Sequence, residues 1–189
     1  MDRAKAWEIV CEFTESENLR KHALAVEAAM RGYARMKGED EDLWGTIGLL
    51  HDFDWEVHPT LEEHPSKGAE ILRERGVDEW IVKAILSHAE HTGVPRETEL
   101  EKTLFAVDEL SGFLVACALV RPSRSLTDIK VKSVKKKMKD KSFAAAVNRD
   151  DIRKGAEELG IPLEEHIQNT AGFLADVEDR LGLGAGSSG

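Results

Sequence analysis

Apolar positions in this chain recur every three or four residues, and nowhere do they settle into the alternation that a strand of useful length would need. The first stripe covers residues 3–14, with Ala6, Trp7, Val10 and Phe13 facing inward. Ser16 stands where a helix N-cap is expected, and a long helix follows to about Met36, ended by Gly38. Glu39-Asp40-Glu41-Asp42 puts negative charge at the start of the next helix, where the helix dipole favours it. That helix runs through Trp44, Ile47 and Gly48 into His51-Asp52. Residues 53–60 read as a loop containing His58-Pro59, and Thr60 caps a predicted helix over about 61–75 with His64-Pro65 in its first turn. Asp78 starts another, whose face Trp80, Ile81, Ala84, Ile85 and His88 ends in the segment His88 to His91. After a turn at Thr92-Gly93-Val94-Pro95, a long helix spans about 97–120. A short lysine-rich helical region, capped by Thr127 or Asp128, a helix near 149–159 and a last helix from about Pro162 to Leu181 complete the pattern. The expected fold class is all-α: a single-domain helical bundle over 1–181, with a flexible tail at 182–189.

Composition narrows the setting. Apolar residues make up 41% and charged residues 33%, the balance of a soluble domain with a real core. The net charge of −10 argues against broad binding of a nucleic-acid backbone by the whole surface. The aromatic residues are too few for a base-stacking platform. Cys11 and Cys117 lie in helical stripes without the spacing of a metal knuckle, so they read as reduced core residues. The N-terminus lacks a basic region followed by an apolar core, and the longest apolar run, Phe113 to Val120, is far too short to span a bilayer. A cytoplasmic protein with no membrane partner is expected.

Three segments place ionisable groups on stripes that should be buried. His22 has Leu19, Ala25, Val26 and Ala29 on its own helical face. The apolar segment Gly48-Leu49-Leu50 ends abruptly in His51-Asp52. Asp108 sits among Leu104, Val107, Ser111, Gly112 and Val115, where a carboxylate is costly without a partner. Taken singly, each has an ordinary explanation: a satisfied core histidine, a dipeptide that chance supplies, a buried cap or ion-pair partner. Taken together, imidazole and carboxylate are the donors that hold a hard or borderline divalent cation.

The order His22 … His51-Asp52 … Asp108 resembles the HD-domain superfamily of metal-dependent phosphohydrolases, over about residues 16–120. That resemblance implies a helical bundle in which these four residues bind a divalent metal, with 121–181 as a helical extension. A subset of the family adds two histidines and a second metal, bridged by the HD aspartate. His64 and His88 resemble those positions, with His58 and His91 as nearby competitors. One or two ions of Mn, Fe, Co, Ni, Zn or Mg suit this donor set, since no thiolate dictates the choice. Asp52, His91 and Lys67 are the candidate catalytic residues: Asp52 as the bridge, His91 as a substrate contact or acid, Lys67 as a phosphate contact. Arg121 and Arg124 directly follow the helix carrying Asp108 and are candidates to clamp a phosphate. The seven lysines of 130–141 admit either a phosphate-binding or a solvated helix face.

The function that follows is hydrolysis of a small phosphorylated substrate, a phosphate monoester or a nucleotide, through metal-activated water. Two other readings share the donor set: a di-iron oxygenase of the same fold, and a non-catalytic, metal-stabilised nucleotide-binding module. Substrate identity, metal identity and oligomeric state, including a homo-oligomer, stay open at the level of sequence.

Overall fold

The computed structural model describes residues 1–184, and among them the chain is built from nine α-helices with no strand. They are α1 (Arg3–Phe13), α2 (Glu17–Lys37), α3 (Glu41–Leu50), α4 (Ser66–Glu74), α5 (Glu79–Ser87), α6 (Glu99–Leu119), α7 (Val131–Met138), α8 (Arg149–Glu158) and α9 (Leu163–Ala175). No described helix is long and apolar enough to cross a membrane.

The two 21-residue helices organise the rest. α2 packs on α3, α6 and α9, and α6 packs on α2, α5, α7, α8 and α9. Their shared interior holds Val26, Met30, Leu104, Leu110, Phe113 and Leu114, all fully buried. Each such side chain contributes about 1.5–3 kcal/mol by leaving water. α8 approaches α6 closely because Gly155 lies against Ala106, where an added Cβ would sit 2.5 Å from the Ala106 Cα.

Helix ends follow local chemistry. Asp2 and Asp40 cap α1 and α3 by accepting backbone N–H groups, and Thr98 with Glu101 forms a capping box on α6. Ser16 occupies the N-cap of α2 but makes no side-chain bond there. The Glu56 carboxylate instead accepts from the Glu15 and Ser16 N–H groups at 2.8 and 3.0 Å.

Several predicted elements shift. Residues 61–65 form turns, and α4 begins only at Ser66, because the residue before Pro65 is disfavoured in the helical region. α5 stops at Ser87, so His88 and His91 do not share a helix. Trp80 is 48% exposed and Val82 takes the buried place on that face. The last helix breaks at Ala175, and a 3-10 turn over Glu178–Leu181 completes it. Leu183 is buried, so the packed chain continues past the expected start of the tail, and 185–189 lie outside the described residues. Cys117 is buried, while Cys11 is only half-buried. In α7, Val134 and Met138 face the core. Among the lysines, Lys135 pairs with Glu164 and Lys137 lies 4.0 Å from the centre of the Phe143 ring.

One buried polar chain ties three helices together. His166 of α9 donates from Nε2 to the Ala106 carbonyl of α6 at 2.8 Å, which leaves Nδ1 to accept the Tyr33 hydroxyl of α2 at 2.6 Å. Burial pushes the Tyr33 hydroxyl up to about 12 and the His166 imidazole down to about 4. The unfolded chain takes up the His166 proton below pH 6.5, whereas the folded chain resists it until about 4. Stability should therefore fall with pH across that window, by about 3 kcal/mol from this group. Denaturant titrations of the wild type and His166→Gln at several pH values check this. The wild type should lose more stability on acidification, and parallel curves would contradict the assignment.

Candidate metal centre

Five separate segments deliver ionisable side chains to one point. His22 comes from α2, His51 from the C-cap of α3 and Asp52 from the turn after it. His64 stands in the turns before α4, His88 at the C-cap of α5, and Asp108 in the middle of α6. His22 Nε2 lies 3.0 Å from Asp108 Oδ1, 3.2 Å from His51 Nε2 and 3.7 Å from Asp52 Oδ2. His51 Nε2 lies 3.4 Å from Asp52 Oδ2 and 3.3 Å from Asp108 Oδ1. The other Asp52 oxygen, Oδ1, is 3.2 Å from His64 Nε2 and 3.3 Å from His88 Nε2. Two donor groups result, His22-His51-Asp52-Asp108 and Asp52-His64-His88, each compact enough to hold a metal ion and sharing one carboxylate.

The donor chemistry fits a cation. His51 Nδ1 donates to the Gly48 carbonyl at 2.8 Å, His88 Nδ1 to the Ile85 carbonyl at 2.6 Å, and His64 Nδ1 to Asp54 Oδ1 at 2.9 Å. In the neutral rings those bonds leave each Nε2 as a bare lone pair. His22 and His51 then aim nitrogens at each other across 3.2 Å, and His64 and His88 across 3.4 Å. When both facing nitrogens are unprotonated, such pairs repel unless a proton or a cation lies between them.

The proton equilibria show the same demand. Burial opposes a charge on His51, yet Asp52 and Asp108 outweigh it and hold the imidazole well above its ordinary range. Burial likewise opposes a charge on His64, but Asp52 and Asp54 raise it to about 9. Both carboxylates move the other way: burial would raise them, and the histidines around them hold Asp52 and Asp108 well below the usual range. A cation entering this cluster displaces protons, so its affinity rises with pH.

The cluster opens onto a cavity of about 630 Å³. Trp55 forms one side, its ring edge-on to His64 with centroids 4.9 Å apart. Glu109, Asn148 and Asp151 form another part of its wall. Burial and the neighbouring Asp108 charge push the Glu109 carboxyl up to about 7. Arg149 shapes this wall by donating to the carbonyls of Phe143, Ala144 and Val147. Arg96 braces two lining residues, Phe105 and Glu90: its guanidinium lies 3.7 Å from the centre of the Phe105 ring and donates to the Ser87 carbonyl, Glu90 and Glu158.

The structure brings His22, His51, Asp52, His64, His88 and Asp108 together. His91 lines the cavity and donates from Nε2 to the His64 carbonyl at 2.8 Å, while His58 lies 3.9 Å from Glu63 and outside the cluster. Three expected residues lie elsewhere. Lys67 is half exposed and pairs with Glu70 at 2.9 Å. Arg121 does not line the cavity, and its Nε is buried without a hydrogen-bond partner. Arg124 lines a smaller neighbouring cavity. Lys67 lies in the first turn of α4 with its ammonium turned to Glu70, and the turns after α6 carry Arg121 and Arg124 away from this cavity.

Asp54, which by sequence is either a loop or cap residue or a carboxylate that orients a nearby histidine, makes the bond to His64. Beyond its bond to His64 it accepts the Gly68 N–H at 3.0 Å, and a Cβ on Gly68 would sit 2.5 Å from its Cγ. Its two-residue offset from Asp52 was the available signal. Arg149 and Glu109 carried none, since each reads as a surface charge on a helical pattern, and Arg96 falls in the connection after the turn at Thr92–Pro95.

The HD domain family model matches residues 19–112, and over that span the chain belongs to the HD-domain family. HD domains bind divalent metals and are typical of metal-dependent phosphohydrolases. Among curated proteins, the chain is similar to ribonuclease Y of Nitratidesulfovibrio vulgaris strain DP4 and of strain Hildenborough, 34% identical to each over 98 residues. The match covers 51% of this chain and 18% of either relative. No solved structure matches the chain significantly.

Asp54→Ala frees the His64 ring and removes the acceptor of its Nδ1 proton. Divalent-metal affinity should fall about 10–100-fold, and Gly68→Ala should fall in the same direction by displacing the Asp54 carboxylate. Titration calorimetry with Mn²⁺ on folded variants checks both. Wild-type affinity in Asp54→Ala would exclude the carboxylate from supporting the site.

Proposed function

We propose that this chain is a divalent-metal-dependent phosphohydrolase acting on a phosphate monoester or nucleotide. One observation carries the reading: four imidazole Nε2 atoms converge on the two carboxylates at the floor of an open cavity. His22, His51, Asp52 and Asp108 would hold one cation, and His64, His88 and the second oxygen of Asp52 another. Ions held there supply activation of water and neutralisation of phosphoryl charge.

The chain's own residues do the positioning. The Gly48 and Ile85 carbonyls and Asp54 fix three imidazoles so that Nε2 faces inward. Asp52 turns one oxygen to each half of the cluster. His91, with Nε2 tied to the His64 carbonyl, keeps Nδ1 for a substrate hydrogen bond. Among the described residues lining the cavity there is no lysine or arginine, so phosphoryl charge is not met there by a side-chain cation. Lys67, held in its pair with Glu70, has no part in this reading. The ribonuclease relatives add a phosphodiester to the substrates worth testing, over the matched segment only.

A panel of phosphomonoesters, nucleotides and short phosphodiesters tests the proposal. Chelation should abolish hydrolysis, and Mn²⁺, Co²⁺ or Mg²⁺ should restore it. No turnover of any member at full metal occupancy, or turnover that requires oxygen and two irons, would overturn it.

A further inference from the structure

Charge is distributed unevenly around the cluster. The main cavity is lined by Asp52, Glu90, Asp108, Glu109 and Asp151, with no basic side chain other than its histidines. On the other side of His22 lies a second cavity, of about 360 Å³, that carries Lys21 and Arg124 and no carboxylate. His22 and Gly112 line both, so the two spaces adjoin at the metal cluster. Gly112 lies at the junction, where a Cβ would stand in ordinary contact with the His22 ring, at 3.7 and 3.9 Å.

Two features make the basic cavity more than a surface dip. Arg124 holds φ at +49°, a left-handed conformation that a residue with a long side chain seldom adopts. Its backbone is pinned on both sides, the N–H donating to the Arg121 carbonyl at 3.1 Å and the carbonyl accepting from the Gly184 N–H at 2.8 Å. The guanidinium makes no ion pair with the described residues. Lys21, on α2 next to His22, has only a loose pair at 3.7 Å with the highly exposed Glu17.

We propose that the cavity bearing Lys21 and Arg124 beside His22 is an anion subsite for a second phosphate of the substrate. This deepens the phosphohydrolase reading and rests on it for which phosphate reacts. A second phosphate is repelled by the carboxylates of the main cavity, whereas a guanidinium and an ammonium donate hydrogen bonds to its oxygens. The substrate class is thus a small ester with two separated phosphates, oriented with one at the cluster and the other past His22.

The test compares equilibrium binding of a nucleoside 3′,5′-bisphosphate with that of the 5′-monophosphate. It uses the full chain with Ca²⁺ bound, and phosphate release is followed separately with Mn²⁺. The wild type should bind the bisphosphate at least about tenfold more tightly. The double variant Lys21→Gln, Arg124→Gln should erase that ratio, and Arg124→Lys should keep most of it. Arg124→Gly suits the left-handed backbone, so it should fold at least as well and still reduce the ratio. Equal affinities in the wild type, or a ratio surviving in both the double variant and Arg124→Gly, would overturn the subsite. Loss of the ratio in these variants with no phosphate release from either ligand would support the subsite and remove the hydrolase reading. Phosphate release without any preference would do the reverse.

Discussion

The structure depends on two aspartates, Asp52 and Asp108, set among four imidazoles at the meeting point of α2, α3, α5, α6 and the turns before α4. Carboxylates in such a place are costly unless positive charge accompanies them. Histidines supply it in two ways. They take protons, as the raised His51 and His64 show, or they turn lone pairs to a cation that takes the protons' place. Both ways require the same geometry, so the fold that buries the acids also assembles a cluster able to hold a metal ion.

The surrounding interactions hold that geometry. The carbonyls of Gly48 and Ile85 fix their rings through bonds made within three residues of each histidine, so helix ends themselves orient the imidazoles. His64 lacks such a helix and takes Asp54 as its partner, with the Gly68 N–H steadying the carboxylate in turn. The Tyr33-His166-Ala106 chain joins α2, α9 and α6 two residues from Asp108. Arg96 and Arg149 anchor residues that line the cavity. In this fold, buried polar contacts thus set positions, and apolar burial supplies the stability.

The helical periods, and the positions of the clustered residues on them, were legible because burial leaves a 3.6-residue signature and an acid within it stands out. His22 and Asp108 were found that way, and HD-family likeness selected His64 and His88 over His58 and His91. What escaped was set by turns. The position of Pro65 moved the start of α4, the end of α5 separated His88 from His91, and the chain after α6 carried Arg121 away from the cavity and Arg124 into the neighbouring one. Trp80 faces outward because hydrophobicity alone does not choose which apolar side of a short helix the core accepts. Long-range partners such as Arg96 with Glu158 leave no local pattern at all.

The central claim is that Asp52 is shared by both halves of the cluster. Elemental analysis of the purified wild type and Asp52→Ala tests it most directly. The account predicts about two divalent ions per chain in the wild type. Asp52→Ala, with its helical circular dichroism retained, should lose both. Unchanged metal content in Asp52→Ala would contradict the shared carboxylate and with it the organisation described for this site.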